Sequence, residues 1–487
     1  MKLNRPDLLK NQGYINGQWC QADNGNTFAV INPATGESIA HIADMGAAET
    51  RRAIASAEQA QTLWAAKTAK ERANILRNWF DLIMANQTDL AAILTAEQGK
   101  TLAEASGEIA YGASYIEWFS EEAKRIYGDI IAPPSQDKRL LVIKQAVGVV
   151  ASITPWNFPH AMIARKVAPA LAAGCSFVAK PAKETPLSAL ALAVLAEEAG
   201  IPAGVFNVVS GSSSAVIGNE MTSNLRVRKL TFTGSTPVGK TLIKQCATTV
   251  KKTSMELGGN APFIVFNDAN IDAAIDGAMS SKFRNAGQTC VCTNRILVQA
   301  DVYDEFSKKF AAKVAHLQLG DGAQANTTMG PLVNPQAASD VAALVDNALN
   351  LGATALTGGQ RSNLGDCYYP PTVLSNATPA MRLFKEEIFG PVAPLFKFET
   401  EAEAIALAND TEFGLAAYFY TQDMARIWRV AEALEYGIVG INEGIISNEM
   451  APFGGIKESG HGREGSKYGI DDYVELKYLC VGGISSH

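Results

Sequence analysis

Residue types suited to covalent and charge-stabilising chemistry gather in four short segments: TPWNFP (154–159), FTGSTPVG (232–239), MELGGN (255–260) and GQTCVC (287–292). Cys290 offers a thiolate, which is strongly nucleophilic and can also leave. Glu256 precedes two glycines that let the backbone pass close to a ligand. FTGSTPVG sets a glycine turn between a strand and a helix, where phosphate can meet the helix N-terminus. Only Gly234 and Gly239 are glycines there, with Ser235 beside the first, so the segment is a weak GxGxxG. Each feature alone has a plain structural reading. A buried cysteine packs as a small hydrophobe, Asn157 between Trp156 and Phe158 suits a turn, and a lone glutamate is ordinarily solvated.

The elements around these segments read as α/β. From Tyr14 to Met45 short β-type runs alternate with turn signals. Between about 47 and 125 the pattern is helical, as in ETRRAIASAEQAQTLWAA, with apolar residues at helical spacing. From Leu140 apolar β-type runs (LLVIKQAVGVVASI, CSFVAKP, VFNVVSG, KLTFTGS, APFIVFND) alternate with helical stretches, which argues for parallel sheets covered by helices. A second such series follows Gly259, with RILVQAD, ATALTGG, PVAPLFKF and AAYFY. No repeat and no Pro/Gly/Ser-rich linker interrupts the chain, so closely packed domains are expected.

Length and charge narrow the classes further. At about 150 residues per domain, 487 residues suggest two or three domains. A net charge of −7 gives no electrostatic reason to expect nucleic acid or an anionic membrane as partner. The start, MKLNRPDLLKNQ, has no apolar core of a secretory signal. The most apolar segments run to about ten residues, against roughly 20 for a membrane span. A cytoplasmic protein is expected. Seven scattered cysteines make neither a disulfide framework nor a CxxC zinc pattern, and five histidines show no ligand spacing, so no metal site is expected.

Taken together in order and spacing, the four segments resemble the aldehyde dehydrogenase superfamily from about Tyr14 to Val481. Lys180-Pro181-Ala182, Glu386 to Pro391 and Pro452 to Gly455 share the likeness. The resemblance implies a Rossmann-type cofactor domain at 1–126 and 147–256, and an α/β catalytic domain at 257–445. A β oligomerisation arm would comprise 127–146 and 470–487, and a returning segment at 446–469 would line the site. A homodimer or homotetramer is implied.

The chemistry implied is oxidation of an aldehyde through a thioester. An aldehyde surrenders hydride only after a nucleophile has added to it. Cys290 matches the family's nucleophile and Glu256 the general base that activates water for thioester hydrolysis. Asn157, with the backbone N–H of Cys290, matches the oxyanion donors. Lys166 and Glu464 match a supporting proton-relay pair. Thr154, Pro155, Trp156, Asn157, Gly234, Ser235, Leu257, Glu387 and Phe389 match cofactor contacts, and Lys180, Ala182 and Lys183 lie where the adenosine ribose is read. Members using NAD often carry glutamate at the position of Lys183. A lysine there favours NADP, with NAD second, unless Lys183 is simply solvated and Glu184 presents the acid.

Within the superfamily, SKFRNAGQTCVC, EYGIVGINEGIIS and SGHGREGSKYGIDDYVELKYLC resemble succinate-semialdehyde dehydrogenases, which act in 4-aminobutanoate degradation. A small-molecule aldehyde with a distal carboxylate needs a fixed cation. Arg165 and Arg284 match the family's carboxylate-binding arginines and Ser447 their hydroxyl partner; the alternative is structural salt bridges. Glutarate semialdehyde differs by one methylene and is not separated. Cys292 either packs or forms a strained, readily reduced disulfide with Cys290. A non-redox cysteine hydrolase would want a histidine base, and no motif here contains one. A non-catalytic relative would have lost Cys290 or Glu256, and both are present.

Overall fold

A computed structural model describes residues 1–484; the last three residues of the expected arm, 485–487, lie outside the described residues. Five parallel strands form the heart of the first sheet, in the spatial order Phe206–Val208, Ser176–Lys180, Val149–Ile153, Val227–Thr233, Lys252–Glu256. Numbered along the chain this order is 3-2-1-4-5, which reverses direction between Val149–Ile153 and Val227–Thr233. A crevice opens at the carboxyl ends of the strands at such a point. TPWNFP and FTGSTPVG begin at those two ends. The strands Val149–Ile153 and Ser176–Lys180 are buried throughout, as their near-continuous apolar runs require.

Both edges of this sheet are closed by distant segments. The hairpin Gly13–Ile15/Gln18–Cys20 adds antiparallel at Tyr14 against Val208. Its turn is Asn16-Gly17, both with left-handed φ (53° and 71°), as a two-residue hairpin demands. At the other edge Gly460–His461 pairs antiparallel with Met255 and Glu256.

The second sheet has seven strands, ordered Thr354–Thr357, Thr372–Ala377, Val392–Phe398, Thr293–Gln299, Ala261–Val265, Ala416–Tyr420, Ile438–Ile441. All neighbours are parallel except the first pair. Gly258 and Gly259 carry the chain from Glu256 in the first sheet to Ala261 in the second. Cys290 lies just before the strand Thr293–Gln299, so the carboxyl end of one sheet faces the amino end of a strand in the other.

The apolar run from Leu140 to Ile153 is two strands in two different sheets. Arg139–Ala146 pairs with Val474–Val481 and Asp129–Ile131 in a three-stranded antiparallel arm, while Val149–Ile153 enters the first sheet. Gly148, at φ 120°, makes the break. The arm is exposed, with Ile130 86 % and Leu476 69 % accessible.

Four helices, Ala47–Ala66, Ala69–Ala85, Gln87–Gln98 and Leu102–Glu122, precede the arm. The first covers the stretch whose periodicity predicted it. Leu102–Glu122 is started by a capping box between Thr101 and Glu104. It packs on Ala161–Ala173, a helix in which every residue is buried.

Candidate active site

Asn157, Glu256 and Cys290 line one cavity of about 250 Å³ at the crevice between the sheets. Glu256 is the last residue of its strand, 4 % exposed. Burial raises its carboxyl above the usual range, opposed by the Arg165 cation. Cys290 is half-buried. Desolvation and then the Glu256 carboxylate beside it push the thiol well above its ordinary value.

The turn leading to Cys290 is strained. Asn285, Ala286 and Gly287 all have left-handed φ (52°, 54° and 75°), a costly conformation for the two non-glycines. Its neighbours hold it there. Glu104 accepts the Asn285 N–H at 2.7 Å, and the Gln288 side chain accepts the Val333 N–H at 2.9 Å. At Gly259 a Cβ would stand 2.5 Å from the Cys290 carbonyl, so only glycine lets that strand connection pass behind Cys290.

Asn157 is 3 % exposed and donates through Nδ2 to the Gln288 carbonyl at 3.0 Å. The second N–H of that amide remains available. Its backbone carbonyl receives Asn285 Nδ2 at 2.9 Å and Lys100 Nζ at 2.8 Å.

Lys166 and Arg165 both pair with Glu464, Arg165 at 2.5 Å. Burial opposes ionisation of Glu464, but the two cations hold its carboxyl below the usual range. Arg165 is 1 % exposed, stacks 4.1 Å from the Phe453 ring and reaches the Tyr111 hydroxyl at 3.3 Å. Arg284 is half-buried and stands 5.4 Å from the Phe158 ring. No ion pair engages it among the described residues. Ser447 is half-buried. Arg165, Arg284 and Ser447 do not line the cavity that holds Cys290.

The remaining cavity wall comes from the cofactor-type segments. Trp156 and Phe389 meet edge to face at 5.5 Å, and Phe389 itself has φ 49°. Pro155, Leu257 and Glu387 complete that side. Desolvation pushes the Glu387 carboxyl up to about 8. Gly234 and Ser235 stand at the start of the helix Thr236–Ala247, whose first turn has no side-chain cap. Thr154 and Thr233, at the ends of the two switch-point strands, keep buried hydroxyls with no partner among the described residues. An apolar slot, an uncapped helix N-terminus and unpartnered donors fit a dinucleotide.

At the strand end beyond, Lys180 is 2 % exposed, bonded to Ser214 at 2.7 Å, and lowered by burial to about 8. Ala182 is buried. Lys183 is exposed, with its amine 4.0 Å from Glu184. Cys292 is a free, buried thiol directed at the Lys282 and Thr293 carbonyls, both at 3.4 Å.

Residues 19–479 match the aldehyde dehydrogenase family. This chain belongs to that family. Among relatives, it is 60 % identical over 482 residues to the Escherichia coli succinate-semialdehyde dehydrogenase named for NADP(+), covering 99 % of this chain and all of that one. It is also 60 % identical to a glutarate-semialdehyde dehydrogenase of Pseudomonas aeruginosa (99 % of this chain, 100 % of the relative) and to a 3-sulfolactaldehyde dehydrogenase of Pseudomonas putida (99 % of each). The crystal structure of a succinate-semialdehyde dehydrogenase from Burkholderia pseudomallei superposes with a TM-score of 0.98 at 60 % identity, covering 99 % of this chain and 100 % of that one. The fold is therefore that of an aldehyde dehydrogenase, and the activity is oxidation of an aldehyde.

Several buried partners of the site escape sequence reading. Glu104, Lys100, Asn285 and Gln288 hold Asn157 and the turn before Cys290, and Lys100 does so from the loop between the helices Gln87–Gln98 and Leu102–Glu122. Gln288, inside GQTC, carried the one local signal.

Proposed function

We propose that this aldehyde dehydrogenase oxidises succinate semialdehyde to succinate with NADP as preferred acceptor and NAD as second choice. The observation that carries the substrate reading is Arg284, a half-buried guanidinium six residues before Cys290 that no carboxylate of the described chain neutralises. A substrate carboxylate would complete it, with Ser447 as hydroxyl partner and Arg165 as second cation. The three relatives at 60 % identity support a class of aldehyde with a distal anionic group.

The residues assign the chemistry as follows. Cys290 gives up its thiol proton to solvent, and its Sγ bonds to the aldehyde carbon. The free N–H of Asn157 and the Cys290 backbone N–H stabilise the resulting oxyanion. Trp156, Leu257, Glu387 and Phe389 would hold the nicotinamide of a bound dinucleotide, with Gly234 and Ser235 at its phosphates, and that group would supply the hydride acceptor. Glu256 then takes a proton from water, which attacks the thioester and releases the acid and the Cys290 thiolate. Lys166 and Glu464 carry the proton onward. Lys180 and Lys183 with Ala182 would bind the adenosine ribose and its phosphate.

The division 1–126 with 147–256, 257–445, and an arm from 127–146 and the tail after 470 follows the same reading. The exposed apolar strands of that arm support assembly into a homodimer or homotetramer. No helix among the described residues is long and apolar enough to cross a membrane, and we place the enzyme in the cytoplasm. The deciding experiment is kcat/KM for succinate, glutarate and sulfonated aldehydes and for butanal, each with NADP and NAD. A best rate on butanal would sink the reading.

A further inference from the structure

Helix Leu102–Glu122 carries Glu104 and Glu108 one turn apart, and each reaches a different half of the active site. Glu104 holds the Asn285 N–H, at the start of the turn to Cys290. Glu108 Oε1 accepts the backbone N–H groups of His160 (3.0 Å) and Ala161 (3.2 Å), where the helix after TPWNFP begins. Its other oxygen takes Lys100 Nζ at 2.6 Å. That same Nζ donates to the Asn157 carbonyl at 2.8 Å and lies 3.8 Å from the Phe158 ring.

Both side chains of this ion pair are shut off from solvent, 0 % exposed. Burial pushes Glu108 up and Lys100 down, each opposed by the charge of the other. Such a pair is a poor source of stability, since apolar side chains of similar volume commonly hold helices together as well or better. What apolar side chains would not do is bond the Asn157 peptide. That peptide is gripped at its carbonyl by Lys100 and Asn285, and at its side chain by the Gln288 carbonyl. The grip fixes where the remaining amide N–H of Asn157 points.

We propose that Lys100 and Glu108 are a positioning pair for the oxyanion site. They act from behind Asn157, setting its distance from the Cys290 backbone N–H. The proposal rests on the reading of Asn157 as an oxyanion donor.

The test is the double variant Lys100→Met/Glu108→Gln, which removes both charges while the introduced amide oxygen still accepts the His160 and Ala161 N–H groups. Melting temperature and NADP binding by fluorescence quenching report the fold. The single-turnover burst of reduced nicotinamide reports acylation. The expected burst rate is about tenfold lower, in line with the cost of small misplacements at a reacting centre, with aldehyde KM within about twofold. Glu108→Gln alone, which leaves the Lys100 amine, lowered by burial, in place to donate to the Asn157 carbonyl, is the second variant and should fall between. A wild-type burst in either folded variant overturns the proposal. Asn157→Ala, run beside them, separates the failures: if it is slow while the variants are normal, only the positioning pair is wrong; if it too is normal, the oxyanion reading is wrong as well.

Discussion

Asn157 and Gln288 stand 131 residues apart in the chain and are joined by a 3.0 Å bond from the side-chain amide of one to the backbone carbonyl of the other. Asn285 answers it with a 2.9 Å bond to the Asn157 carbonyl. The two bonds cross-stitch a loop of the first sheet to the nucleophile turn before the second. Asn157→Ala removes both the stitch and the donor. It should lower kcat by roughly 10²–10³ and change aldehyde KM little. An unchanged kcat would show that the amide only shapes the turn.

On the proposed mechanism Cys290 and Glu256 act in successive steps, and their variants should fail differently. Cys290→Ala should abolish oxidation while NADP still quenches intrinsic fluorescence. Glu256→Gln should allow a burst of reduced cofactor followed by slow turnover, since thioester hydrolysis needs the base. Stopped-flow absorbance distinguishes the two, and a Glu256→Gln enzyme with neither a burst nor a turnover defect contradicts the assignment.

Arg284 gives a cleaner test of substrate recognition than Arg165. Removing Arg165 also takes one of its two cations from buried Glu464, so effects on the fold and on the substrate would be mixed. Arg284→Ala should cut kcat/KM for succinate semialdehyde by about 2–5 kcal/mol if the contact is desolvated, and leave butanal nearly unaffected. Equal losses on both aldehydes would make Arg284 a structural residue.

On the proposed reading the cofactor preference turns on Lys183. Lys180 is tied to Ser214, whereas Lys183 is exposed and available to a ribose phosphate. NADP should be preferred, less so as salt rises and screens exposed charge. Lys183→Glu should reverse the preference by placing a carboxylate against the phosphate. A wild type that prefers NAD, with a ratio unmoved by the substitution, would make Glu184 the reader of the ribose.

Glu387 links stability to pH. Its folded-state pKa of about 8 lies above its ordinary 4.5. A raised pKa means the protonated form stabilises the fold, fully below the ordinary value, and that contribution is lost as pH rises through about 8. The cofactor-free enzyme should therefore lose melting temperature from pH 5 to 8 more steeply than Glu387→Gln. Parallel curves would show that the carboxyl is ionised in the fold.

Asn157, Glu256 and Cys290, which line one cavity, were legible in the sequence as candidates because the requirements of such residues are local. A nucleophile, a base beside two glycines, and a glycine turn between strand and helix each occupy a few adjacent positions. The turn signals after Tyr14 likewise announced short strands, and helical spacing announced Ala47–Ala66. What only the tertiary structure decided is who faces whom. One apolar run from Leu140 to Ile153 serves two sheets, since apolar β-type sequence fits either and only Gly148 marks the break. Gly460–His461 closes the edge beside Glu256 from two hundred residues away, a pairing no short pattern encodes. Arg165 turned out to be held by Glu464, and Glu108 to be buried against Lys100 and the backbone after Asn157. Glu108 lies on the buried stripe of its helix with Ala105, Gly112, Tyr115 and Phe119, yet helical spacing does not name the partner that lets a carboxylate sit there, because periodicity records which face a residue lies on and not which other part of the chain covers it.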